Sequence, residues 1–131
     1  MTKPNHQLAT LQLAIMRVLW KRGEATVADV REDLHDDRPL AYTTIATMLA
    51  KMERKGYVAH RIEGRAHIYR PAIDQEKVSR SMVTDLADRL FAGDVTQMVA
   101  HLLAGCDVDA DELARLKALI RAREKEERNA R

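Results

Sequence analysis

Thr43, Thr44 and Thr47 are followed by Lys51 and Arg54 in a stretch whose large apolar residues are Ile45, Met48, Leu49 and Met52. At about 100° per residue the apolar four share one side of a helix and the hydroxyls and cations take the opposite arc. β-branching disfavours helix, so three threonines on an exposed face come at a cost in propensity. Duplex DNA gives that face a use. A threonine hydroxyl can bond phosphate or a base edge, its methyl can meet a thymine methyl, and a cation farther along neutralises phosphate. Tyr42 stands at the entrance of the same helix. The plainer alternative is a solvated helix with Tyr42 packed beneath a neighbour, although such faces more often carry Glu/Lys pairs.

Two histidine arrangements also invite chemistry. If Glu63-Gly64 is a two-residue hairpin loop, His60 lies opposite His67, close enough to share a metal. Two imidazoles are an incomplete ligand set, so no metal is assigned. His101 and Cys106 are equally incomplete, and the single cysteine excludes an intramolecular disulfide or a multi-cysteine metal site. Gly-rich phosphate loops, His-Glu-x-x-His and Gly-x-Ser-x-Gly are absent, so the reading is a non-enzyme with no catalytic residue and no cofactor.

The elements that must position these residues can be read from their ends. A helix from Leu8 or Thr10 to Lys21 closes at Gly23, and Glu24-Ala25-Thr26 reads as an extended connector. Thr26 with Asp29 forms a capping box for a helix to Leu34, and Pro39 marks a turn. The threonine-bearing helix runs from Ala41 to Lys55 and stops at Gly56. Residues 57–62 and 65–70 then alternate as two strands, with Arg61 and Arg65 near the tip, placed for phosphate or the adjacent minor groove. Three helices and a hairpin are the plan of a winged helix-turn-helix, expected here over residues 1–73.

Residues 74–131 read as helical throughout, with Asp94 and Asp109 as caps and a charged tail, 124–131, expected to fray. Their apolar stripes include Val78, Met82, Leu86, Leu90, Leu102, Leu113, Leu116 and Ile120. So short a segment offers little for an independent core, and the economical solution is pairing with the same region of a second chain. The fold class is therefore mainly α with a small β-hairpin wing, followed by a helical dimerisation region.

Composition fits this plan. The 131 residues are 46% apolar and 32% charged, with no run long enough to span a membrane and no leader-like start, which favours a cytoplasmic protein. Residues 1–72 hold 12 Lys/Arg against 8 Asp/Glu, and residues 73–131 hold 10 against 12, so the basic excess lies with the threonine-bearing helix. A winged helix that binds protein instead of DNA would show an apolar or acidic third helix.

Ile15-Met16-Arg17-Val18-Leu19-Trp20, Arg38-Pro39-Leu40-Ala41-Tyr42-Thr43-Thr44-Ile45, Lys55-Gly56-Tyr57-Val58 and Gly64-Arg65-Ala66-His67-Ile68-Tyr69-Arg70-Pro71 together resemble the BlaI/MecI/CopY family of bacterial transcriptional repressors, over nearly the whole chain. The resemblance implies a homodimer on an inverted-repeat operator. In better-known members a membrane receptor that detects β-lactams triggers cleavage of the repressor. The aligned cut is His101-Leu102, where the family's Asn-Phe is replaced. With those residues, and inside a helix, the expectation is an uncut chain. The paired cysteines of copper-responsive relatives are missing, which disfavours that kind of metal-responsive repressor.

Overall fold

The computed structural model describes residues 8–130; the first seven residues, on which the expectation about a leader falls, lie outside them. The order is α1 (Thr10–Arg22), β1 (Ala25–Thr26), α2 (Val27–Leu34), α3 (Tyr42–Arg54), β2 (Val58–Glu63), β3 (Ala66–Pro71), α4 (Gln75–Phe91), α5 (Val95–Gly105) and α6 (Ala110–Asn129). The expected mainly α fold with a small antiparallel wing is borne out. Two compact units divide the chain, one running to Asp85 and the other beginning at Leu86.

Local chemistry accounts for the ends of the elements. Gly23, at φ 86°, closes α1 and donates its N–H to the Leu19 carbonyl at 2.7 Å. Thr26 Oγ1 accepts from the Asp29 N–H at 3.1 Å, and the Asp29 carboxylate accepts from the Thr26 N–H at 3.0 Å. That capping box starts α2 and is worth about 1 kcal/mol.

The core of the first unit is filled by Ile15, Met16 and Leu19 from α1, Val30 from α2, Ile45, Leu49 and Met52 from α3, and Val58 from β2, all under 2% or at most 2% exposed. Burying each such side chain contributes roughly 1.5–3 kcal/mol. Trp20 Nε1 donates to the Ile73 carbonyl at 3.0 Å, tying α1 to the segment after the wing. The Arg22 guanidinium grips Asp33 with Nε and a terminal nitrogen at 2.7 and 2.8 Å, joining the end of α1 to α2. That contact holds the Asp33 carboxyl below its usual range.

Three findings differ from the sequence reading. The connector before α2 is a strand, with Ala25 paired to Tyr69 and Thr26 to Ile68, so the sheet order is β1-β3-β2. The hairpin loop is Gly64-Arg65, because Glu63 pairs with Ala66. Gly64, at φ 62°, takes the first central position with the only positive φ of the two, as a type II′ turn requires. His60 therefore lies opposite Tyr69, and His67 opposite Ile62. Finally, the first unit extends past residue 73, because Val78, expected at a dimer contact, is 1% exposed and belongs to this core; Met82 packs partly against it.

In the second unit α5 and α6 begin at Asp94 and Asp109, whose carboxylates accept from the N–H groups of Gln97 and Glu112 at 3.0 and 2.8 Å. The charged end expected to fray is helix to Asn129. Arg123 reaches Glu126 and Glu127 at 3.8 and 3.9 Å, in a stretch rich in helix formers. Neither α5 nor α6 has a buried residue. Among the described residues no helix is long and apolar enough to cross a membrane.

Candidate nucleic-acid interface

The two sides of α3 separate sharply. Ile45, Leu49 and Met52 are fully buried, while Thr43, Thr44, Thr47, Lys51 and Arg54 are exposed. Tyr42, the first helical residue, is 50% exposed. No side chain caps the helix at Ala41, in contrast to the carboxylate and hydroxyl caps of α2, α5 and α6. An uncapped start leaves backbone N–H groups and the positive end of the helix dipole available to an outside anion. Arg31 of α2 donates to the Leu40 carbonyl at 3.2 Å and so sets the turn that delivers α3.

Alternation sorts the wing residues between two faces. Val58, His60 and Ile62 share one face with Pro71, Tyr69 and His67; Ala59, Arg61 and Glu63 share the other with Arg70, Ile68 and Ala66. Arg65 occupies the loop, exposed. The side chains of Lys51, Arg54 and Arg65 make no hydrogen bond or ion pair among the described residues. Arg61 is differently placed. Its guanidinium bonds Glu24 at 3.0 Å and Glu63 at 2.6 Å, and those contacts push its pKa up. A cation held by two carboxylates has less to offer a phosphate than the free Arg65.

On the other face His60 Nδ1 lies 2.6 and 2.7 Å from the two carboxylate oxygens of Glu53, in the last turn of α3. The His60 and His67 rings stack 4.6 Å apart and 5° from parallel, with Tyr69 tilted against both. Moving the loop by one residue keeps both histidines on the same face, so they meet diagonally. The contact brings ring faces together rather than lone pairs, and no group of three metal-ligating side chains occurs among the described residues. Burial, and then the Glu53 charge, raise the Tyr69 phenol above its ordinary range. Glu53 was not anticipated. Its partner is seven residues away on a different element, a relation without a helical or strand period.

The second unit carries most of the expected interface residues. Leu86, Leu90, Leu102, Leu113, Leu116 and Ile120 are each between 37% and 65% exposed in the single chain. The His101 ring lies 5.0 Å from that of Phe91 and is tilted 58° to it, its Nδ1 lies 3.0 Å from the Gln97 carbonyl, and the bond to Leu102 falls within α5. Cys106 is exposed and in no disulfide.

Comparison with known proteins places this geometry. A family model described as penicillinase repressor matches residues 8–122. The transcriptional regulator BlaI of Mycobacterium tuberculosis is 34% identical over 119 residues, covering 88% of this chain and 86% of that protein. The penicillinase repressor of Bacillus licheniformis is 26% identical over 114 residues, covering 87% and 89%. Among solved structures, a mutant of MarR from E. coli shares the fold at 15% identity, with a TM-score of 0.51 over 88% of this chain and 77% of that one. The expected relationship is borne out, and the chain belongs to the penicillinase repressor family.

Proposed function

We infer that this chain is a DNA-binding transcriptional repressor that occupies an inverted-repeat operator as a homodimer in the bacterial cytoplasm. The observation that carries the reading is the α3 face, where hydroxyls and unpaired cations lie opposite a fully buried apolar side. Tyr42, Thr43, Thr44 and Thr47 lie toward the start of α3 and read base edges and nearby phosphate; Lys51, Arg54 and Arg65 neutralise phosphate. Arg61 contributes through the wing's shape, by holding the hairpin to Glu24. The protein-binding alternative loses support from this face, which is neither apolar nor acidic.

The exposed apolar residues of α5 and α6 support pairing with a second copy, which would hold two α3 helices for half-sites about one helical turn apart. The relatives' names motivate assigning the repressor to antibiotic-resistance genes that respond to β-lactams. Cleavage at His101-Leu102 by a membrane sensor protease would need α5 to open, since a protease binds extended backbone. The resting repressor is the uncut chain.

Mobility-shift titration across a salt series tests the assignment. Thr44→Ala or Thr47→Ala should relax discrimination between the operator and a scrambled duplex. Lys51→Ala or Arg65→Ala should weaken both by about 1–3 kcal/mol and flatten the salt slope by about one unit. Binding that ignores salt would overturn the DNA reading, and equal losses on both duplexes for the threonine variants would overturn their role.

A further inference from the structure

The wing has little of its own to fix its direction. Ile62 is 64% exposed, and Ala66 and His67 toward the tip are exposed too. A two-stranded ribbon is marginal alone, so its outer half needs an external tie if Arg65 is to meet phosphate in a fixed register with α3. One such tie is Arg61 to Glu24 on the face away from α3. The other is Glu53, which reaches from α3 itself.

Glu53 is also misplaced for DNA binding on charge grounds. It stands beside Arg54 and two residues from Lys51. A carboxylate there repels phosphate unless it is occupied. His60 occupies it, with Nδ1 within 2.7 Å of both oxygens. The parallel His67 ring, 4.6 Å away, carries the restraint from β2 to β3, and Tyr69 closes behind the pair.

Resting on the DNA-binding reading above, we propose that Glu53 and His60, backed by the stacked His67, form a strut that fixes the wing to the reading helix. Glu53 and His60 are thus positioning residues. They touch no nucleotide, and they make base reading by α3 and phosphate grip by Arg65 act as one event. Without the strut only the Arg61–Glu24 tie restrains the outer half of the wing, which then samples more directions, and the Arg65 contact carries an ordering cost.

The test uses the full chain and a duplex enriched from a random pool by the wild-type protein. Glu53→Ala should lower affinity about tenfold, and Glu53→Gln, which keeps an oxygen for the imidazole N–H, should restore most of it. Arg65→Ala should weaken the wild type but add little to Glu53→Ala, because a wing without a fixed direction has no grip to lose. Should Glu53→Ala fail to fold by thermal melting, His60→Ala takes its place in the same cycle. Additive losses would overturn the strut, as would tighter binding by Glu53→Ala, which would show that the carboxylate only repels phosphate. A wild-type chain that enriches no duplex would instead remove the DNA-binding reading on which the strut rests.

Discussion

The two units solve the same problem of burial in opposite ways. Up to Asp85, apolar residues from α1, α2, α3, the wing and the start of α4 close on one another, and among the described residues the large exposed apolar side chains are Tyr42, Ile62 and Val83. From Leu86 onward the helices are well capped, yet α5 and α6 bury nothing and Leu90, Val95, Leu102, Leu119 and Ile120 are each more than half exposed. Good caps and helical propensity are therefore separate from a core. The first unit is specified by its own chain, whereas the second has the local signals of helices without a core among its own residues, which is what the proposed pairing with a second copy would supply.

The largest expected effect comes from denying it that pairing. If the proposed dimer forms through this face, Leu116→Asp should give monomer in ultracentrifugation and lower operator affinity by about 10²–10⁴-fold, while the first unit still folds. A variant that remains dimeric at low concentration would move the contact elsewhere. A matched pair of truncations then sharpens the contrast. Leu49→Ala removes a fully buried side chain and should cost about 2–5 kcal/mol in denaturant unfolding. Leu119→Ala, at 67% exposure in the single chain, should be nearly silent in dilute monomer. Similar losses at both positions would show that the second unit has a core of its own.

The smallest effect tests the ion pair that joins α1 to α2. Asp33 is held below its ordinary range by the Arg22 hydrogen bond, so its contribution is full above pH about 4 and fades as pH falls through the lowered value. Asp33→Asn should therefore lower the melting temperature slightly at neutral pH, with the difference from wild type closing in acid. A difference that persisted at low pH would show that the carboxylate charge is not its source.

What could be read in advance follows how local each determinant is. The capping boxes and aspartate caps were legible because a cap and its partner are three residues apart. The position of the hairpin loop was not, because Gly64 suits a central position in either Glu63-Gly64 or Gly64-Arg65. β1 escaped notice because two residues become a strand only when β3, more than 40 residues later, comes to lie beside them. Val78 misled for a related reason: a four-residue apolar stripe looks the same whether it packs on its own domain or on another chain. The exposed face of α3 was legible from residue type and period alone, whereas Glu53 needed the wing in place before its role could be seen.

Thr26 shows what a shared residue does to cooperativity. It is at once the last residue of β1, paired with Ile68, and the hydroxyl that starts α2. β1 cannot peel from β3 without loosening the residue that anchors the first turn of α2, and that turn cannot fray without disturbing the strand. Sheet and helix thus open as one foldon, and their amide protons have a common route to solvent. The base of β3 therefore separates from β1 only together with part of the helix-turn-helix, whereas the tip of the wing is held by its own contacts.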